Sequence, residues 1–288
     1  MLDHLSPQPT HPSRVVVLGA GGFVGSAIVR RLAAESIACL PLTRKECDLL
    51  APDASTRLRS LIRGTDSVVV VSAIAPARTA ADVTTNVRMV EVVCEVLAAT
   101  PPAHLVYISS DAVYVDDANP VTERSCCQPS SLHGVMHLAR EVMLRTSVKA
   151  PLAILRPTLL YGAGDPHNGY GPNRFRRLAA KGEPITLFGN GEEQRDHVFI
   201  DDVAAIVALA LARRSRGILN VATGTSHSFR TLAEKVAALA PRPVAVQATP
   251  RQTPVTHRHF DITTALKAFP TFRYTPLDVG LQRAAGEA

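Results

Sequence analysis

A doubly wound parallel α/β sheet is the fold this sequence predicts. Three observations predict it. Short β-branched apolar runs alternate with longer stretches of helical period. The first of these runs leads straight into a glycine-rich turn. The 288 residues are 46% hydrophobic and 19% charged, enough for one large α/β domain with an appendage, or for two domains.

The elements follow in order. The first dozen residues read as a loose tail. Arg14–Leu18 (RVVVL) is a buried strand, and GAGGFVG then opens a helix through SAIVRRLAAE. Ala38–Leu42 is a second strand, Ala54–Ile62 a helix and Ser67–Val71 a third strand. Val83–Ala99 is an amphipathic helix ended by Pro101 and Pro102. His104–Ser109 is a fourth strand, Gly134–Thr146 a helix, and Leu152–Arg156 a fifth strand stopped by Pro157. GAGDPHNGYGPN, after Tyr161, reads as a loop or lid. Beyond it come a helix near Arg174–Lys181, a strand near Val198–Ile200, a helix over Asp202–Ala212 and a strand at Ile218–Val221. Asp201 and Asp202 are expected to cap that last helix. The sheet domain is expected to span 12–160 with about 196–222, and a small C-terminal substrate-binding lid to be built from 161–195 and 223–288.

Composition excludes several classes. The apolar content is too high for a disordered chain, and there is no glycine period or sustained heptad. Runs such as Val68–Val71 and Val203–Ala212 fall short of the roughly 20 residues of a membrane span. The N-terminus carries no apolar secretory stretch, so a cytoplasmic protein with no membrane partner is expected. The net charge is +6, but the 31 basic residues are scattered and mostly arginine, and no nucleic-acid partner is expected. The five cysteines (Cys39, Cys47, Cys94, Cys126 and Cys127) fit neither a disulfide framework nor a zinc site.

Gly19, Gly22 and Gly25 form GxxGxxG between the first strand and the first helix, with Phe23 and Val24 at the helix start. Glycine there allows an unusual turn and a close backbone approach to a pyrophosphate, which the helix N-terminus favours. This is the signature of a Rossmann-type dinucleotide domain. The second strand ends in Leu42-Thr43-Arg44-Lys45 with no carboxylate at its tip. Arg44 and Lys45 there suit a 2′-phosphate, which favours NADP(H); NAD(H) would follow if Glu46 took the ribose instead. Asp48 and Leu49 fit a loop beside the adenine.

GAGGFVG, VSAIAP, Asn86 in TTNVRMVE, YISSDAVY, LRPTLLYGAGD, GNGEEQRDHVFIDDVA and GILNVATG together resemble the extended short-chain dehydrogenase/reductase, or NAD-dependent epimerase/dehydratase, family over nearly the whole chain. The resemblance implies cofactor contacts at Ala73, Ile74, Ala75, Ser109 and Pro157, a catalytic serine at Ser110, and substrate contacts at Asp111 and Arg195. His167 and Asn173, in the lid-like loop, are further substrate candidates. It also implies a Tyr-x-x-x-Lys pair on the helix after the serine strand, but this chain has His133 and His137 there. His137 is able to bond ribose hydroxyls, and His133 is an acid only as imidazolium. As a metal pair they lack a glutamate between them and a third ligand, so no metal is expected.

A complete cofactor site beside an altered acid pair suggests an oxidoreductase. The expectation is an NADPH-dependent ketoreductase acting on a small-molecule ketone, a carbonyl of an aromatic polyketide in antibiotic biosynthesis, working as a monomer or homodimer. The alternatives are a sugar-nucleotide 4-keto reductase or epimerase using His133, and a non-catalytic NADP-binding sensor.

Overall fold

The computed structural model describes residues 2–116 and 119–286. In chain order its elements are β1 (Asp3–His4), β2 (Val15–Leu18), α1 (Phe23–Ala34), β3 (Cys39–Leu42), α2 (Ala54–Leu61), β4 (Ser67–Val70), α3 (Ala80–Ala99), β5 (His104–Ile108), α4 (Leu132–Ser147), β6 (Leu152–Pro157) and β7 (Leu159–Tyr161). They continue with α5 (Pro172–Lys181), β8 (Ile185–Phe188), β9 (Gln194–Phe199), α6 (Ile200–Ala212), β10 (Ser215–Val221), β11 (Ser226–Ser228), α7 (Phe229–Ala238), β12 (Val246–Thr249), α8 (Thr263–Ala268) and α9 (Leu277–Gly286).

The main sheet runs β1-β10-β6-β5-β4-β2-β3, parallel throughout except for β1. Every residue of β2, β4 and β5 is buried, as a sheet covered on both faces requires. One core gathers α1 and α6 residues such as Ile28, Leu32, Val203 and Val207 on one face. The other gathers Leu58 of α2, Val90 and Leu97 of α3 and Leu144 of α4. The first core also takes in Phe175, Phe229, Leu232 and Leu281, so the region after residue 160 packs into the same apolar interior as the sheet. That region holds a three-stranded β11-β9-β7 sheet and a parallel β8-β12 pair. Among the described residues, no helix is long and apolar enough to cross a membrane.

Two helices begin earlier than their apolar period suggests, and capping explains both. Thr79 accepts from the Asp82 backbone N–H at 3.1 Å while Asp82 accepts from that of Thr79 at 2.9 Å, a capping box that starts α3 at Ala80. Ser131 accepts from the Gly134 N–H at 3.1 Å and starts α4 at Leu132.

Two expectations are corrected. The first dozen residues are not a loose tail: Leu2 is buried, β1 pairs with β10, and His4 bonds Ser215 Oγ at 2.8 Å and the Ala268 carbonyl at 2.9 Å. Asp201 and Asp202 do not cap α6, whose N-cap is Phe199. Asp202 instead accepts from the N–H and the hydroxyl of Thr275, both at 2.8 Å, and so ties the chain before α9 to α6.

Candidate active site

The sheet reverses its winding at β2, between β3 and β4. Ligands of open α/β sheets bind outside the carboxyl ends of the strands at such a switch point. The glycine turn and the segment after β4 meet there. Gly19 sits at φ +94°, and a Cβ on it would lie 2.5 Å from the Ser72 nitrogen. A Cβ on Gly25 would overlap the Gly19 carbonyl oxygen. Gly22, the N-cap of α1, has an ordinary φ of −80° and nothing nearer its absent Cβ than the Gly19 oxygen at 3.5 Å. Gly19 and Gly25 therefore serve the packing of strand, turn and helix, and Gly22 keeps a passage open. The Gly22 N–H itself closes the turn onto the Gly19 carbonyl at 3.1 Å, and Phe23 and Val24 beyond it carry the first-turn N–H groups. This cradle fits a dinucleotide pyrophosphate. A nicotinamide bound there would give or take a hydride.

The loop carrying Ala73, Ile74 and Ala75 is held from beneath. Asn86 accepts from the Ile74 N–H and donates to its carbonyl, both at 3.0 Å. Arg140, buried on α4, donates to the Ser72 carbonyl at 2.6 Å. At the β3 tip, Arg44 is 81% exposed and reaches Asp48 at 3.0 Å. Glu46 is folded back, accepting from the Thr43 N–H at 3.0 Å and from its hydroxyl at 2.5 Å. Those two bonds hold the Glu46 carboxyl below its usual range. Lys45 is exposed and Leu49 buried.

Strand β5 and helix α4 engage through two matched pairs. Tyr107 meets His137 Nδ1 at 2.8 Å, and Ser109 donates to Glu141 Oε1 at 2.5 Å. Two residues along a strand advance about 6.6 Å and four along a helix about 6 Å, so the i,i+2 and i,i+4 spacings coincide. Glu141 also receives Arg156 from β6 in a forked pair of bonds at 2.9 and 2.6 Å, with both side chains buried. This anchors Ser109 and α4 to the neighbouring strand, whose last residue is Pro157.

Ser110 caps the short 3-10 turn Asp111–Val113, accepting from the Ala112 N–H at 3.1 Å. His133 and His137 stand edge to face, ring centres 4.6 Å apart. Burial pushes both imidazoles toward the neutral form, with His167 adding repulsion at His133, and His133 and Arg140 adding it at His137. Among the described residues, His133 Nδ1 is buried without a hydrogen-bond partner. His167, in the loop after β7, is near enough to His133 to oppose its charge, although 34 positions separate them. Among the described residues no three metal-ligating side chains gather.

Asp111 lies beside Ser110, and burial raises its carboxyl against the opposing pull of Arg258. Arg258 bonds the Asp111 carbonyl at 3.2 Å and its carboxylate at 3.4 Å, and reaches Asp116 at 3.1 Å. Arg195 contacts neither Asp196 nor Asp201 but donates to the carbonyl and hydroxyl of Thr256 at 2.6 and 2.8 Å, with Glu193 at 3.8 Å. Asn173 is buried and committed internally, accepting from the Gly162 N–H and donating to Leu160 and Asp165. Sequence reasoning missed Arg140, Arg258 and Tyr107. The only signal for Tyr107 was its two-residue spacing from Ser109 on one face of a strand.

This geometry agrees with comparisons to known proteins. A dTDP-L-rhamnose 4-epimerase of Burkholderia thailandensis is 35% identical over 124 residues, 40% of this chain and 34% of the relative, so the match spans about a third of that protein's length. MoeE5 in complex with UDP-glucose and NAD superposes with a TM-score of 0.80 at 23% identity, covering 95% of this chain and 97% of that one. A GDP-L-fucose synthetase from Naegleria fowleri bound to NADP gives 0.83 at 18%, covering 98% and 96%. These structures share the fold. The profile of the NAD dependent epimerase/dehydratase family matches residues 15–222, well over half of the sequence, and with the glycine cradle at the switch point in place, the chain belongs to that family.

Proposed function

We propose that the protein is an NADP(H)-preferring oxidoreductase acting on a sugar nucleotide, as a 4-keto reductase or epimerase, with His133 standing where the family's tyrosine acid would be. The observation that carries this reading is the reach of the likeness. Superposition on enzymes whose ligands are a UDP-sugar or whose name is GDP-L-fucose synthetase covers 95–98% of the chain, including the lid region where a substrate would be chosen. Arg195, whose guanidinium bonds Thr256 near Asp111, would offer a cation to a diphosphate, with Arg258 already paired to Asp111 and Asp116. The exposed Arg44 and Lys45, with Glu46 turned away onto Thr43, support the phosphorylated cofactor.

Ser110 would hydrogen-bond the reacting oxygen, and His133 would give it a proton as hydride arrives. Because burial disfavours imidazolium at His133, its acid form grows only as pH drops below the ordinary histidine range. The same neutrality favours a second substrate class, an aromatic polyketide ketone whose own phenol already polarises the carbonyl and which needs positioning more than an acid.

The test follows NADPH absorbance with 4-keto sugar nucleotides, with UDP- and dTDP-hexoses, and with phenolic aromatic ketones. Consumption with a 4-keto sugar nucleotide, or interconversion of hexose epimers, is expected. The rate should rise as pH falls, and His133→Ala should flatten that dependence. Turnover confined to the aromatic ketones, unaltered by His133→Ala, overturns the sugar-nucleotide reading.

A further inference from the structure

Tyr107 is wholly buried in β5, and among the described residues its hydroxyl has one partner, His137 Nδ1 at 2.8 Å. A phenol has one hydrogen to place, and a neutral imidazole has one donor and one acceptor nitrogen. If Nδ1 carried the imidazole hydrogen, it would donate to the phenol oxygen and leave the phenol's own hydrogen buried without an acceptor. If Nδ1 is bare, the phenol donates to it, and the imidazole hydrogen sits on Nε2, which the protein does not enclose. The surroundings keep the imidazole neutral: it is buried, the permanent cation of Arg140 lies 5.3 Å from the centre of the neighbouring Tyr107 ring, and His133 stands edge to face with it, ring centres 4.6 Å apart. Burial also holds the Tyr107 hydroxyl up at about 12, so it keeps its hydrogen.

We propose that Tyr107 is a positioning residue that locks His137 in the tautomer with hydrogen on Nε2, so that the imidazole turns a donor and never an acceptor toward the ligand. Nε2 has no protein partner among the described residues. The group it meets must therefore accept a hydrogen bond. On the cofactor-site reading given above, on which this assignment of the ligand rests, that acceptor is a hydroxyl oxygen of the nicotinamide ribose. A ligand offering only an N–H at that point would face two donors and be rejected. Leaving a buried phenol hydrogen unpaired biases the tautomer by about tenfold or more.

Nitrogen-15 NMR of protein with labelled histidine, recorded without cofactor at neutral pH, tests this. His137 is assigned by the signals missing in His137→Gln. The expected spectrum shows His137 Nδ1 as an unprotonated, pyridine-like nitrogen and Nε2 as a protonated one. Tyr107→Phe keeps the ring and removes the constraint; it should yield a mixture of tautomers and weaken cofactor binding about fivefold. A protonated Nδ1 in the unsubstituted protein, or an unchanged tautomer in Tyr107→Phe, overturns the proposal. Should Tyr107→Phe fail to fold, the spectrum of the unsubstituted protein still decides. Because that spectrum needs neither cofactor nor substrate, inactivity toward sugar nucleotides leaves this inference standing.

Discussion

Arg140 holds the carbonyl of Ser72 at 2.6 Å, and the nitrogen of that same Ser72 is the atom a side chain on Gly19 would strike. The glycine turn and helix α4 are thus joined through one residue. Arg140→Leu should leave the Ser72 carbonyl without this partner, a loss of about 1–3 kcal/mol. The loop over Ala73–Ala75 should loosen, and calorimetric titration should show dinucleotide binding weakened by about tenfold or more. Equal affinity in the variant would detach Arg140 from the cofactor loop.

The glycines of the turn separate into two kinds of failure. Gly25→Ala drives a methyl into the Gly19 carbonyl and to 2.9 Å from Ala20 Cα, an overpacking that should lower stability by roughly 1–3 kcal/mol. Gly22→Ala meets nothing closer than 3.5 Å in the protein and should leave the melting temperature nearly unchanged. On the proposed placement of the dinucleotide its methyl would stand in the path of the pyrophosphate, so it should abolish dinucleotide binding. Thermal melts with and without dinucleotide read both outcomes.

Acid should destabilise the fold through His104. This buried imidazole bonds the Ser215 carbonyl at 2.6 Å, and burial lowers it from 6.5 to about 4. Between those values the unfolded chain binds a proton that the folded one refuses, so stability is full above pH 6.5 and falls as pH drops toward 4. The full effect is about 3 kcal/mol. Asp196 acts in the opposite sense: burial raises it from 3.8 to about 6, so its contribution is lost as pH rises through that range. His104→Gln keeps an N–H for Ser215 but cannot titrate. Guanidinium midpoints across pH should fall less steeply on the acid side in this variant.

Cofactor choice should rest on the β3 tip. Replacing Arg44 and Lys45 together with alanine should weaken NADPH by about tenfold and leave NADH unchanged, because on the proposed reading each would supply charge only to a 2′-phosphate. Equal weakening of both would place these side chains elsewhere on the dinucleotide.

The strands and the glycine turn were readable in the sequence because each is a local pattern: a short β-branched apolar run, or glycine at fixed spacing. The helix starts were not, since Thr79 and Ser131 cap from outside the apolar period. Polar side chains were read as ligand contacts or caps, yet Asn173 and Asp202 are taken up by Asp165 and Thr275, which only the folded chain brings near. The site's supporting arginines are the clearest gap. Arg258 reaches Asp111 across 147 positions and Arg140 reaches Ser72 across 68, and no local pattern announces such a meeting. His133 and His137 stand in the sequence where the resemblance implies an acid pair; that Tyr107 meets His137 could not be read there.

The two-residue strand Asp3–His4 has a further role. Strand β10 would otherwise be the outer rail of the sheet, and β1 pairs with it at Ser215 and Arg216 while Leu2 plugs the core alongside. A naked rail of backbone donors and acceptors recruits other strands. Clipping this short latch would therefore be felt as self-association that grows with protein concentration, long before any change reached the chemistry at the opposite end of the sheet.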